Sequence, residues 1–155
     1  MYIVTVIALL LVVPLCSILV QRYFFHSDAG LGLLIGRWFV FWGVGVRLVL
    51  AGARQILNPR YTAETILGLK TAEPWIVVRE LGFANLALGV VGFSSLFART
   101  WLLPSAVAGA IFYGLAGINH LFTSHRNRLQ NFAMLSDLFI CAILLAFCLA
   151  APFRP

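Results

Sequence analysis

The chain has 155 residues, of which 62% are hydrophobic and only 10% are charged. Soluble domains carry about 25% charged residues, and a soluble fold of this length could not bury so much apolar surface. The composition excludes disordered, coiled-coil and disulfide-rich secreted proteins and indicates an integral membrane protein. The 11 basic residues outnumber the 5 acidic ones but stand singly between apolar stretches. We therefore expect contact with anionic lipid headgroups and no nucleic-acid binding.

Five apolar stretches are long enough to cross a bilayer, which takes about 20 helical residues. We predict an all-α, polytopic membrane helical bundle that forms a single transmembrane domain over residues 1–155. The five expected helices cover about residues 1–20, 31–57, 75–97, 101–122 and 130–150. The first stretch has no basic region and no small-residue cleavage pattern, so we expect a helix and not a removed signal peptide. Pro14 should kink this helix.

The one long connection of the predicted bundle covers residues 58–74. Asn58-Pro59 should end the second helix, and Thr62 is predicted to cap a short turn that Gly68 ends. No connection could hold a soluble catalytic domain. Any chemistry is therefore expected inside the bundle or at its rim.

The distribution of basic residues predicts the orientation of the chain. The N-terminal side of the five predicted helices collects Arg54, Arg60, Lys70, Arg79, Arg126 and Arg128. The opposite side collects Arg22, Arg37, Arg99 and Arg154. Six against four favours a cytoplasmic N-terminus and an external C-terminus.

Polar residues from four predicted helices fall in the half of the membrane nearest the N-terminus. The expected intramembrane polar cluster comprises Arg47, Arg54, Arg79, Glu80, Asn85, Asn119, His120 and Asp137. An ionisable side chain at membrane depth costs about 2.5–3.5 kcal/mol on insertion scales, so such residues pair or face a wet cavity. From their depths we expect Arg47 to pair with Glu80 or Asp137, with Asp137 slightly favoured. The cluster has two open interpretations: ion pairs that only hold the helices in register, or a functional pocket.

Small residues predict the faces on which these helices pack. Glycine lets neighbouring membrane helices approach closely. Helical spacing places Gly36 and Gly43 on one face of the second helix and Gly82, Gly89 and Gly92 on one face of the third. We expect both faces to contact other helices.

The common cofactor and nucleophile patterns are missing from the sequence. No HxxH, HxxE or CxxC spacing occurs, which argues against a metal site. Bis-histidine haem ligation needs two deep histidines, and only His120 lies in a predicted helix. Ser94, Ser95 and Ser136 have no neighbouring base that would activate them. A bound quinone or lipid stays open.

Two sequence resemblances follow from these motifs. The segment RLVLAGARQILNP, Arg47–Pro59, resembles the end of an early helix in DoxX-like membrane proteins. Three further segments resemble more closely an uncharacterised bacterial family of small membrane proteins: VRELGFANLALGVVG (78–92), GLAGINHLF (114–122) and AMLSDLFI (133–140). The likeness covers about residues 40–147 and leaves the first helix out.

The DoxX-like resemblance implies a four-helix core with an extra leading helix. Some DoxX-like proteins are membrane subunits linked to quinone-dependent sulfur oxidation, so the resemblance implies a possible quinone ligand and a bacterial inner-membrane location. This chain departs from the pattern at Arg54, where a lysine is common.

Three functions compete. The first is a non-catalytic subunit of a membrane complex or a protein that binds a lipid- or quinone-type molecule, with other membrane subunits or a homo-oligomer as partners. The second is a membrane enzyme that acts on a lipid-like substrate with Glu80, His120 and Asp137 as acid–base groups. The third is a proton- or ion-coupled transporter that oligomerises. We rank them in this order, because a carboxylate beside an arginine is a poor acid.

Overall fold

The computed structural model describes residues 2–69 and 74–150, and these ranges contain five helices long and apolar enough to cross a membrane. They are α1 (Tyr2–Phe24), α2 (Leu31–Leu57), α3 (Pro74–Ser94), α4 (Arg99–Phe122) and α5 (Arg128–Ala150). No strand occurs in the described ranges. The prediction of an all-α bundle with five membrane-spanning helices is confirmed.

The helix bounds differ from the expected ones mainly at the end opposite the N-terminus. Helix α1 continues to Phe24, whereas α3 ends at Ser94, before the expected position 97. The Ser95 hydroxyl donates a hydrogen bond of 2.6 Å to the carbonyl of Gly92. Such a local bond offers the chain an alternative to the next helical turn.

Wide π turns interrupt α1 and α2. One covers Ala8–Val12 and ends two residues before Pro14, and another covers Val40–Val46, directly before Arg47. Pro14 lacks an N–H group, so it cannot make the helical hydrogen bond at this point. An inserted π turn is one of the ways in which a helix accommodates such a break.

Glycines set the contact between α2 and α3. A Cβ atom on Gly89 would lie 2.5 Å from the backbone nitrogen of Val49, and one on Gly92 would lie 2.8 Å from that of Gly45. Gly82 faces Gln55 and Ile56 of α2 in the same way. The two backbones approach so closely here that no side chain fits between them.

A second glycine face of α2 is directed toward α5 and α1. Gly36 lies directly against the ring of Phe147, and Gly43 lies against Ile140 and Leu10. Helix α2 is therefore packed on two faces. The fully buried side chains at the centre of the bundle are Leu34, Val40, Val44, Tyr113, Ile140 and Leu144.

The connection between α2 and α3 contains a short helical segment, Tyr61–Ile66, which with its flanking residues we call the connecting turn (58–69). Thr62 does not cap it, because helical backbone already begins at Pro59, a residue suited to the first helical position. Instead the Asn58 side chain accepts a hydrogen bond of 3.2 Å from the Tyr61 N–H. Gly68, with φ of 74°, ends the turn. The rest of the predicted loop, 70–73, lies outside the described residues.

We predict that Gly89→Ala destabilises the bundle by about 1–3 kcal/mol, because a methyl group would force α2 and α3 apart. The matched control is Gly32→Ala, in the same fold at a position where an added Cβ has no neighbour within 4 Å. The control should be neutral or stabilising by up to about 1 kcal/mol. Thermal melting of both variants in detergent tests this. Equal melting shifts would contradict a tight α2–α3 contact.

Candidate functional site: an intramembrane polar cavity

The five helices and the connecting turn enclose a cavity of about 250 Å³ in the half of the bundle nearest Tyr2. We call it the polar cavity. Its polar lining side chains are Tyr2, Thr5, Arg47, Arg54, Gln55, Tyr61, Thr62, Asn85, Tyr113, His120 and Asp137. Leucines and Phe112 supply much of the remaining wall. A mostly apolar cavity with a few converging polar groups is the usual form of a small-molecule site.

An ion pair between α2 and α5 lies at the deep end of the polar cavity. Arg47 Nη2 is 2.7 Å from Asp137 Oδ1, and both side chains are about nine-tenths buried. Arg47 Nη2 also donates a hydrogen bond of 3.1 Å to Ser136 Oγ. Arg47 lies ten residues from the end of α2, about 15 Å along the helix axis. At this depth an unpaired guanidinium is expensive, so Asp137 stabilises the arginine and the contact between the helices.

Tyr113 of α4 holds the guanidinium on its other side. The Cζ atom of Arg47 lies 4.8 Å from the centre of the Tyr113 ring, a cation–π contact. The Tyr113 hydroxyl donates a hydrogen bond of 2.6 Å to the carbonyl of Gly43, in the π turn of α2. Tyr113 is almost fully buried. The position of Arg47 is therefore fixed by side chains from two other helices.

A second polar pair joins α2 to α3 in the cavity wall. Asn85 Nδ2 donates a hydrogen bond of 2.7 Å to Gln55 Oε1, and both residues are more than nine-tenths buried. The pair lies within the glycine contact, since Gly82 faces the Cβ atom of Gln55. Its amides place hydrogen-bonding groups on the cavity wall at hydrocarbon depth.

Two buried polar atoms of the cavity residues have no hydrogen-bond partner within the described part of the chain. They are the donor Arg47 Nη1 and the acceptor Asn85 Oδ1. A buried polar group without a partner costs about 1–3 kcal/mol, so native structures rarely leave one unexplained. A molecule in the polar cavity with both an acceptor and a donor would match this pair.

The cavity opens at its rim toward both lipid and headgroups. Leu50 and Leu81 line it and are also 50% and 40% exposed, at about 10 Å from the ends of their helices. Arg54 is exposed, and its Cζ atom stacks 3.9 Å from the centre of the Tyr61 ring. The only ion pairs in residues 2–69 and 74–150 are Arg47–Asp137 and Arg60–Glu64, so Arg54 has no acidic partner there.

The connecting turn is held over the cavity by two side chains, one directly before α5 and one in its first turn. The side-chain amide of Asn127 donates to the carbonyl of Ile66 at 3.0 Å, and that of Gln130 donates to the carbonyl of Leu67 at 3.2 Å. Ile66 and Leu67 line the cavity. The turn therefore covers part of the headgroup end of the site, and the cavity stays open at its rim.

The structure brings five of the eight residues of the expected polar cluster to the cavity: Arg47, Arg54, Asn85, His120 and Asp137. The other three, Arg79, Glu80 and Asn119, are exposed on the outside of the bundle. The inward face of α3 is formed by Val78, Gly82 and Asn85. Residues 79 and 80 point away from that face because of the 3.6-residue period. Of the two acids considered for Arg47, Asp137 is therefore the one in contact.

Sequence reasoning missed several cavity residues. Helical spacing does place Tyr113 on the same inward stripe as His120, seven residues further along, but it is not part of the expected cluster. Gln55 had a signal, as an uncharged polar residue inside a predicted helix. Tyr2 and Tyr61 had none, because nothing in the sequence shows that the first turn of α1 and the connecting turn fold against the same cavity.

No three His, Cys, Asp or Glu side chains of the described residues come together as metal ligands. The polar cavity instead offers guanidinium, amide, hydroxyl and imidazole groups. Such groups can form hydrogen bonds with the oxygen atoms of an organic molecule.

A bundle of five membrane-length helices around a polar cavity defines a small multi-pass membrane protein. The chain belongs to a protein family of unknown function, DUF6790, whose model matches residues 1–153. The match includes α1, which the resemblance noted from the sequence left out. Neither a curated protein nor a solved structure matches the chain. The DoxX-like relationship and the bacterial source stay predictions.

We predict a strong coupling between Arg47 and Asp137 in a double-mutant cycle. Arg47→Ala or Asp137→Asn alone should destabilise the bundle by about 3–5 kcal/mol, because each strands a buried charge. The double variant removes both charges and should cost about 0.5–3 kcal/mol less than the sum of the single effects.

Glu80 provides the matched control for this cycle, since it is an exposed acid on a neighbouring helix. Glu80→Gln should change stability by no more than about 0.5 kcal/mol and should add to Arg47→Ala without coupling. The folded yield and the melting temperature in detergent measure the stability changes for both cycles. Additivity of the Asp137 cycle would show that the ion pair does not form in the folded protein.

Proposed function

We propose that this protein binds a small amphipathic molecule of lipid or quinone type in the polar cavity and catalyses no reaction on it. It acts alone, as a homo-oligomer or as a subunit of a membrane complex. The observation that carries the proposal is a cavity that opens to the bilayer and also contains a buried donor and acceptor without partners. An amphipathic ligand would place its apolar part at the opening to the bilayer and form hydrogen bonds with the buried donor and acceptor through its polar part.

The deep end of the cavity favours an uncharged polar group. Asp137 neutralises the charge of Arg47, so the pair presents polarity without a net charge. A ketone, ester or amide carbonyl could accept a hydrogen bond from Arg47 Nη1, and a hydroxyl group could donate to Asn85 Oδ1. Glycerolipid heads carry both kinds of oxygen, whereas a quinone offers carbonyl acceptors and gains hydroxyl donors in its reduced quinol form. Binding of this kind recovers the energy that the orphaned atoms cost.

The rim favours a ligand that arrives from the membrane. Leu50 and Leu81 are exposed at hydrocarbon depth, where an apolar tail could lie between helices. Arg54, exposed at the headgroup end, would attract the more polar part of the molecule. The ligand would thus span from the bilayer interface to the ion pair.

The enzyme alternative is weaker, because its three acid–base residues do not share one site. Glu80 is exposed outside the bundle, and Asp137 Oδ1 is engaged by Arg47. Of these three residues, only His120 both lines the cavity and has no ion pair in residues 2–69 and 74–150. A transporter would need further copies of the chain, because five helices without inverted repeats do not supply the usual alternating halves.

We further propose a bacterial inner-membrane location with a cytoplasmic N-terminus. The support is the excess of six Lys and Arg over four, counted in the sequence by membrane side. A fluorescent protein fused to the N-terminus should be fluorescent in the cell, and alkaline phosphatase fused after Ala150 should be active outside. As a control, alkaline phosphatase fused after Ser124, between α4 and α5, should be inactive. Active phosphatase at Ser124 would reverse the orientation.

The binding proposal predicts that a blocked cavity loses its ligand. In Ala116→Phe a ring replaces a methyl group on the cavity wall, whereas Ala87→Phe places the same ring on the exposed face of α3. Native mass spectrometry of the purified protein should show one lipophilic molecule on the wild type and on Ala87→Phe. The mass should be absent from Ala116→Phe.

Three results of that experiment would count against the proposal. Equal retention by both variants would place the molecule outside the cavity. A protein with no bound molecule in any form would remove the binding function. Chemical conversion of the molecule during incubation with the pure protein would favour the enzyme.

A further inference from the structure

A second cavity of about 230 Å³ lies at the opposite end of the bundle, where α1 and α3 end and α2 and α4 begin. We call it the distal cavity. Arg37 of α2 and Arg99 of α4 both line it. It shares no lining residue with the polar cavity. The distal cavity is therefore a separate feature in the other leaflet.

The two arginines of the distal cavity have no acidic partner. None of its lining residues is Asp or Glu, and neither arginine forms an ion pair in the described ranges 2–69 and 74–150. Arg37 contacts the ring of Trp38, with its Cζ atom 5.8 Å from the ring centre. Two like charges in one cavity repel each other, and the repulsion persists until an anion arrives.

The side-chain amide of Gln21 is a third hydrogen-bond donor at the distal cavity and would also suit an anion. The Trp38 indole N–H donates a hydrogen bond of 2.7 Å to Gln21 Oε1. This bond fixes the amide of Gln21 and leaves its NH₂ group to donate elsewhere. Gln21 also lines the distal cavity, so amide and guanidinium donors from three helices surround the same space.

The depth of the distal cavity matches a lipid headgroup. Arg99 is exposed at the first residue of α4, and half-buried Arg37 lies six residues into α2, about 9 Å along its axis. Leu33, Leu96 and Leu102 also line the cavity and provide an apolar floor. A phosphate would lie among the donors while the acyl chains contact the leucines.

We propose that Arg37 and Arg99 bind the phosphate group of an anionic phospholipid from this leaflet. Guanidinium groups bind phosphate oxygens through paired, charge-assisted hydrogen bonds. Gln21 donates to the same phosphate. The bound lipid supplies a negative charge that none of the residues lining the distal cavity carries.

The experiment measures lipid retention on the intact chain in detergent by native mass spectrometry. The probes are phosphatidylglycerol and phosphatidylcholine of equal chain length. The variants are Arg37→Gln, Arg99→Gln and the double variant, with Arg128→Gln, exposed at the start of α5 on the other side, as a control of equal charge change. The wild type and Arg128→Gln should retain phosphatidylglycerol preferentially. Each distal substitution should weaken that preference about fivefold, the usual contribution of one basic residue near an anionic membrane surface.

Thermal melting provides a second measurement if too little lipid is retained for detection by native mass spectrometry. Phosphatidylglycerol should raise the melting temperature of the wild type more than that of the distal variants, since a ligand stabilises only the form that binds it. In neutral detergent without anionic lipid, Arg37→Gln should melt no lower than the wild type, because the substitution relieves repulsion. Arg99→Gln, at an exposed position, serves if Arg37→Gln does not fold.

Inorganic phosphate distinguishes the two sources of the anion. Stabilisation by phosphatidylglycerol without any by inorganic phosphate supports the lipid. Stabilisation by inorganic phosphate alone, lost in the distal variants, would overturn the lipid as the ligand. Equal retention of both lipids, or an equal loss of preference in Arg128→Gln, would overturn the site itself.

Discussion

The ion pair between Arg47 and Asp137 is the constraint on which the rest of the bundle depends. A guanidinium about 15 Å from the end of its helix cannot reach water without a large cost, so its partner must come from another helix. Asp137 ties α2 to α5 at 2.7 Å. Tyr113 then covers the other face of the guanidinium, and its hydroxyl donates a hydrogen bond to the carbonyl of Gly43 in α2. One buried charge thus fixes the relative position of three helices.

Helix α3 is attached by a different means, since it brings no ionic group to the cavity. In a bilayer the association of helices relies on close packing and interhelical hydrogen bonds, because lipid tails are as apolar as the side chains. Gly82, Gly89 and Gly92 let the backbone of α3 approach α2. The approach places Asn85 within 2.7 Å of Gln55. The glycine contact therefore supplies both the packing energy and the second polar pair of the cavity.

The sequence was sufficient for the helices and for the deepest contact, but not for the faces near the membrane surface. Run length predicts five helices, and matching depths favour Asp137 as the partner of Arg47. Near a helix end the cost of a charge falls, because the side chain can reach the interface. At such positions the depth of a residue no longer shows whether its side chain points into the bundle. Arg79 and Glu80 lie on the outside. The π turn of α2 and the fold of the connecting turn leave no periodic signal either.

The arginines at the two ends of the molecule have opposite electrostatic surroundings. This difference distinguishes the two proposed ligand classes. In the polar cavity the protein neutralises Arg47 with its own carboxylate, so the deep site is polar without net charge and suits a carbonyl or hydroxyl group. In the distal cavity Arg37 and Arg99 meet no carboxylate among the described residues, so the site suits an anion. A carboxylate placed beside Arg37 would stabilise the apo protein but would compete with a lipid phosphate. Conversely, loss of Asp137 would turn the polar cavity into an anion site at a depth where an anion is costly. The placement of a single acid thus determines which chemistry each leaflet presents.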